Sequence, residues 1–211
     1  MKILLAHGST ASAHGEQLAA LAAKVSALLG IEVGTAFLSD DALSKGATVL
    51  PLFLGEGKHV YEDLPKLAAL SDCTVLSPLA NHAEAIADLV LAALTKDTRR
   101  IHALFVMYRF GGFEQLIAAL YGKAKICSKH ALASLHTEPG VDVLLQHWQQ
   151  EGVKAISLQP MLLFEGHSLD RLQTMVSESN IAVSMAPVLS DLAGFPELIA
   201  DIFKDGVGDK K

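Results

Sequence analysis

Cysteine is scarce in this chain: Cys73 and Cys127 are the two among 211 residues, which leaves no disulfide framework and no paired-cysteine metal spacing. Basic clusters are also missing. Lysine and arginine total 17 against 23 acidic residues, a net charge of −6, and no basic run exceeds Arg99-Arg100. A nucleic-acid partner is not expected, because phosphate binding needs a positive stripe. Uncharged stretches stop at about a dozen residues, as in Ser179–Ser190 and Cys73–Ala83, too short to cross a bilayer. Met1-Lys2 precedes only three strongly apolar residues before Ala6-His7-Gly8, which is no secretory core. Aromatic residues are 6% and charged residues 19%, but hydrophobic residues reach 51%, ample for a buried core and too many for disorder. The expectation is a cytoplasmic protein without a membrane span.

What is present is a regular alternation. Apolar runs at Lys2–Ala6, Glu32–Phe37, Thr48–Leu54, Thr74–Leu76, Ile101–Met107, Ala131–Leu135, Ala155–Phe164 and Ile181–Met185 show no polar alternation, as parallel strands covered on both faces should not. Leu18, Leu21, Ala22, Val25, Leu28 and Leu29 follow helical spacing up to Gly30, a natural helix stop. Glu84–Leu94, Phe113–Tyr121, Val141–Gln150 and Pro196–Phe203 behave alike. Strand and helix in alternation imply right-handed crossovers and parallel sheets, an α/β architecture.

The pattern occurs twice. Thr48–His59 is echoed by Ser157–His167, and Val75-Leu76-Ser77-Pro78-Leu79 by Ser184-Met185-Ala186-Pro187-Val188. Pro51 and Pro160 are as far apart as Pro78 and Pro187. Leu4–Gly8 aligns with Phe105–Arg109 at a shorter offset, because Val141–Gln150 has no helical counterpart before Pro51. In the first half only Leu38–Ala47 connects two strands, too short for a crossover helix. Two α/β repeats are expected, residues 1–97 and 98–211, joined near Lys96–Arg100.

Nine histidines are the obvious chemical candidates, since imidazole binds borderline metals and titrates near neutrality. His7 follows the first strand and precedes Gly8-Ser9-Thr10, at the carboxyl edge where ligands bind to parallel sheets. His59 follows the third strand through Gly55-Glu56-Gly57 on the same edge, and His167 occupies the corresponding turn of the second repeat. Gly8-Ser9-Thr10 reads either as a helix cap or as an anion cradle. Glu56, three residues before His59, is a candidate to orient it or take a proton, beside its plainer reading as a solvated turn residue.

Leu4-Leu5-Ala6-His7-Gly8-Ser9, followed by Leu50–Val60 and Asp63-Leu64-Pro65, resembles the sirohydrochlorin cobalto-/ferrochelatase family of class II tetrapyrrole chelatases. Its two signatures, a His-Gly-Ser after the first strand and a Pro-Leu-Phe-Leu…His-Val…Asp-Leu-Pro block, are both intact. The duplicated layout is similar to the two-repeat, single-chain members. The resemblance spans essentially the whole chain, with strong motif identity in the first half and in Pro160–His167. It implies two flavodoxin-like parallel-sheet halves with an active-site cleft between them. The implied reaction is a lyase-type insertion of Co²⁺ or Fe²⁺ into sirohydrochlorin, toward cobalamin or sirohaem. No organic cofactor is implied: the metal is a substrate and the tetrapyrrole the small-molecule partner of a monomer or homodimer. His7 and His59 would bind metal and remove protons, while Gly8, Ser9, Lys58, Tyr108 and Arg109 would meet the tetrapyrrole, with Arg171 nearby.

The sequence departs from the family in two places. The crossover helix after the second strand is missing, leaving Asp40-Asp41 without a clear role. Tyr108-Arg109 stands where the first repeat has His7-Gly8. The second repeat nonetheless keeps His136, Glu138 and His167, a secondary metal constellation resembling the functional trio of related single-site chelatases. Two rival readings remain open. One is phosphate or acyl transfer through Ser9 or His7, which lacks a Gly-x-Ser-x-Gly elbow or a phosphate loop. The other is a non-catalytic metal or tetrapyrrole carrier.

Overall fold

The computed structural model describes residues 1–8, 12–55, 57–95 and 101–206. The chain runs β1 (Lys2–Ala6), α1 (Ser12–Leu29), β2 (Val33–Phe37), β3 (Thr48–Pro51), a wide helical turn (His59–Asp63) continuing into α2 (Leu64–Ser71), β4 (Thr74–Val75) and α3 (Ala83–Leu94). It resumes with β5 (His102–Met107), α4 (Glu114–Lys123), β6 (Lys129–Ser134), α5 (Val141–Gln150), β7 (Ala155–Pro160), α6 (His167–Ser177), β8 (Ala182–Met185) and α7 (Phe195–Asp205). Two wholly parallel sheets result, ordered β2-β1-β3-β4 and β6-β5-β7-β8. The α/β class and its two halves are as expected. All eight strands form where the apolar runs lie, but β3 and β7 stop at Pro51 and Pro160 rather than Leu54 and Phe164, since proline offers the ladder no donor. Helices α2 and α6 were not among the expected ones: Pro65 interrupts the first pattern, and polar residues dilute the second.

The repeats share one backbone plan. Leu5 pairs with Pro51 and accepts the Leu52 N–H at 2.8 Å; Val106 pairs with Pro160 and accepts the Met161 N–H at 2.8 Å. Ala6 accepts from Leu38 and Met107 from Leu135, each at 3.0 Å. His7 and Tyr108, the next residues, therefore occupy equivalent positions.

The chain divides into two compact units, one of Met1–Ala83 with the segment from Gly194, the other of Glu84–Ala193. Helix α3 thus belongs with the second sheet and α7 with the first. The expected junction at 97/98 lies outside the described residues.

In the first unit, α1 buries Leu18, Leu21, Ala22 and Val25, and α7 buries Phe195, Ile199, Ile202 and Phe203. The Lys2 ammonium donates to the Phe203 carbonyl at 2.8 Å, tying α7 to β1. Where a crossover helix would cover the sheet between β2 and β3, the chain instead inserts Leu43 and Ala47 into a cluster with Ile3, Leu5, Val49 and Leu67. Ser71 Oγ accepts the Leu43 N–H at 2.7 Å, pinning that loop. The second unit keeps the helix: α5 supplies Val141, Leu145 and Trp148 to the core under β5 and β7. Among the described residues no helix is long and apolar enough to cross a membrane.

Trp148 is 1% exposed, with the Lys129 ammonium 5.5 Å from its ring centre. Trp148→Ala should lower the stability of the second unit by about 3–5 kcal/mol through lost burial and the cavity left behind. Urea unfolding followed by circular dichroism measures it, and an unchanged midpoint would contradict this packing.

Candidate metal and proton site

Strand order alone brings two histidines near each other. The chain leaves β1 for β2 on one side and reaches β3 on the other, so the carboxyl ends of β1 and β3 flank a topological switch point, where open α/β sheets bind ligands. His7 is the first residue past β1. Gly8 follows with φ +95°, a conformation that side chains with a Cβ resist. A Cβ there would meet Phe37 and Ser39 at no less than 3.6 Å, so conformation, not space, calls for glycine.

His59 opens the turn beyond β3. Val60 and Tyr61 N–H groups both reach the Gly57 carbonyl, at 2.9 and 3.2 Å, and the Leu64 N–H reaches back five residues to His59. That spacing is one residue wider than in an α-helix. Pro65 explains it: its ring would clash with the carbonyl four residues back and it has no N–H to give, so the preceding turn widens.

The two rings meet edge to face. His7 Nε2 and His59 Nε2 are 2.9 Å apart, with ring centroids at 4.3 Å and planes at 83°. His59 Nδ1–H donates to Asp63 Oδ2 at 2.7 Å, and His7 Nδ1–H donates to the Gly8 carbonyl at 3.2 Å. His59 and Asp63 side chains are 48% and 35% exposed, open to a ligand. The hydrogen bond from His59 holds the Asp63 carboxyl below its ordinary pKa against the opposing effect of burial, helped by the charges of His59, Lys58 and Lys66.

Other expected residues scatter. Lys58 is exposed beside His59, while Ser9 and Glu56 lie outside the described residues. The carboxylate that contacts His59 is that of Asp63, which the sequence analysis named only as part of the Asp-Leu-Pro motif. Asp40 closes the turn after β2, accepting the Phe37 N–H at 2.9 Å while its own N–H reaches the Phe37 carbonyl at 3.1 Å.

In the second unit Tyr108 lies over His136, ring centroids 4.4 Å apart, and Arg171 Nη1 donates to His136 Nδ1 at 3.4 Å. Arg109 is exposed at the same edge. Glu138 accepts the Gly140 N–H at 2.9 Å, and His167 is 96% exposed with Asp170 as its neighbour at 3.8 Å. The structure therefore gives His136, Glu138 and His167 separate partners. Among the described residues no three His, Cys, Asp or Glu side chains form a group able to hold a metal ion. The echo between His59 and His167 is also one residue out. Phe53 accepts from Ala80 and Leu162 from Leu189 on the far side of the turns, so the intervening lengths match. His167 then stands opposite Lys58, and Ser168 opposite His59.

Three solved structures share this architecture over nearly their whole length. CbiX, the terminal enzyme for biosynthesis of sirohaem in denitrifying bacteria, is similar with TM-score 0.74 and 20% identity, covering 97% of this chain and 98% of that one. SirB from Bacillus subtilis with Fe³⁺ gives 0.77 and 13%, covering 97% and 94%. SirB from B. subtilis subspecies spizizenii in complex with cobalt gives 0.67 and 15%, covering 99% and 93%. No curated protein matches the chain. The fold is that of the sirohydrochlorin chelatases, in its two-repeat form. Residues 2–96, somewhat under half of the chain, match the CbiX family model.

Because Asp63 is held below its ordinary pKa, the His59 contact stabilises the fold fully at neutral pH; the contribution fades as pH falls through the lowered value. In His59→Ala the Asp63 carboxyl should titrate at higher pH than in the wild type, followed by ¹³C NMR of the side-chain carboxyl. Identical titrations would mean that His59 is not the cause.

Proposed function

We propose that this chain inserts a divalent metal ion, Co²⁺ or Fe²⁺, into sirohydrochlorin, with His7 and His59 handling both the ion and the pyrrole protons. The observation that carries this reading is the 2.9 Å between the two Nε2 atoms. Two nitrogen ligands about 2.0–2.1 Å from one ion, at roughly a right angle, lie that far apart. A half-exposed pair leaves the remaining positions on the ion to water or to the macrocycle. Such a site can give its metal up, as a chelatase must and a closed tetrahedral cage does not. The metal-bound SirB structures and the sirohaem role of the CbiX neighbour support the same reaction class.

The proton balance suits the pair. Insertion forms metal–nitrogen bonds in the macrocycle and breaks two pyrrole N–H bonds. As the ion leaves the imidazole lone pairs, those lone pairs become the bases that accept the protons, which then pass to solvent. Positive charge moves from metal to imidazole, and none need be created in a dry site. Lys58, Tyr108 and Arg109 are proposed contacts for the substrate's carboxylate fringe. Arginine suits that task because its planar fork grips a carboxylate with two hydrogen bonds, and an overall charge of −6 makes local positive groups necessary. Gly8 is assigned the close approach of backbone to substrate. Ser9 keeps its proposed substrate contact from the family motif.

The carrier alternative has one observation in its favour: a two-histidine site without a third ligating side chain among the described residues. Turnover separates the two. Mixed with sirohydrochlorin and Co²⁺, the wild type should convert many equivalents, seen as a change in the pigment's visible spectrum; a carrier would stop at one. His7→Ala and His59→Ala should each lose at least about 10²-fold in rate, the lower end of what a positioned base contributes. Wild-type rates in both variants would defeat the proposal.

Arg109→Ala should raise KM for the tetrapyrrole several-fold and leave kcat nearly unchanged, and added salt should weaken the wild type more than the variant. A collapsed kcat with unchanged KM would remove Arg109 from the substrate's rim.

A further inference from the structure

We infer that Asp63 is a positioning residue that sets which nitrogen of His59 is free, and that Pro65 builds the turn that lets it do so. The inference rests on the chelatase reading only for its metal arm. A neutral imidazole has one lone pair, and the free side chain prefers to keep its hydrogen on Nε2. That tautomer would turn an N–H, not a lone pair, toward His7, and His59 could not bind an ion there. Asp63 reverses the preference. Its carboxylate lies 2.7 Å from Nδ1 and accepts only, so the hydrogen must sit on Nδ1 and the lone pair on Nε2, 2.9 Å from His7 Nε2.

The arrangement also fixes the ring's direction. His59 and Asp63 are the first and last residues of the wide turn, so the contact spans the whole of it. Pro65, at the second position of α2, is the residue whose missing N–H and bulk call for that turn. The Asp-Leu-Pro that closes the sequence motif thereby acquires a physical meaning: carboxylate and proline are two parts of one clamp on His59. His7 has a different device, its Nδ1–H directed to the Gly8 carbonyl at 3.2 Å. Both Nε2 atoms are thus aimed inward by contacts made at Nδ1.

The first test needs neither metal nor tetrapyrrole. Long-range ¹H–¹⁵N correlation spectra of ¹⁵N-histidine-labelled protein, at a pH where His59 is neutral, should show the Nδ1–H tautomer in the wild type. Asp63→Ala should shift it mainly to Nε2–H. Asp63→Asn, whose amide oxygen can still accept from Nδ1, should keep most of the Nδ1–H form, and it serves if Asp63→Ala folds poorly by circular dichroism. The second test uses Co²⁺ alone, titrated by its visible absorption: affinity should fall about 10–100-fold in Asp63→Ala, the usual cost of losing a carboxylate behind a ligating histidine, and by less in Asp63→Asn. Unchanged tautomer in Asp63→Ala would overturn the inference, as would Co²⁺ affinity within twofold of a wild type that His7→Ala and His59→Ala both weaken. Should those two histidine variants leave Co²⁺ binding and chelation intact, the chelatase reading fails, yet the tautomer shift would still support the role of Asp63.

Discussion

A parallel sheet must be covered on both faces, and every connection between its strands must return from one end to the other. In the first unit this constraint has a local consequence: the chain leaves β1 in one direction for β2 and later arrives at β3 on the opposite flank. The loops beyond β1 and β3 therefore diverge, and the gap between them is walled by whatever residues come next. Here those residues are His7 and His59. Their approach is a product of strand order, held by the Leu52 N–H to Leu5 and the Leu38 N–H to Ala6. The glycine after one and the proline beyond the other adjust only the last few ångströms.

The second unit shows how much chemistry can change on an unchanged frame. The same backbone bonds recur at Met161–Val106 and Leu135–Met107, yet Tyr108 replaces the first histidine and Ser168 the second. His136 remains, but its Nδ1 accepts from Arg171 and its face lies against Tyr108. A guanidinium beside an imidazole is a poor neighbour for a dication, because like charges repel across a few ångströms. The frame of the second unit is also the better covered, with α5 and Trp148 over a face that in the first unit is closed by Leu43 on a loop.

Much of this was legible in the residues. Continuous apolar runs marked the strands, most clearly the central β1 and β5, which are buried on both faces, and the missing crossover helix was visible as a connection too short to hold one. The histidine pair was legible from strand ends plus motif. What could not be read followed from local geometry. Helix α2 hid behind Pro65, which usually ends helices but here sits at the second position of one. The same proline hid Asp63: its four-residue spacing from His59 matters only if the segment is helical. His167 looked equivalent to His59 because both follow Gly-Glu-Gly or Glu-Gly, and a shift of one residue around a helix start turns a side chain through about 100°. Ser9 and Glu56 fall outside the described residues, so their part rests on the motif alone.

The division of helices between the units bears on how the molecule comes into being. The first sheet is synthesised early, but α7, with Phe195, Ile199, Ile202 and Phe203 buried and a hydrogen bond to Lys2, is synthesised only after the whole of the second sheet. Chains commonly fold domain by domain from the amino terminus as they emerge. This one cannot complete its leading unit in that way. Until α7 has emerged, the unit bearing both histidines lacks one of its walls, and α3 is made before the sheet beside which it has its place. Each repeat is finished by a helix encoded in the other, the arrangement of a swapped dimer fixed within one polypeptide, so cutting the gene at the boundary of the repeats would not release two working halves.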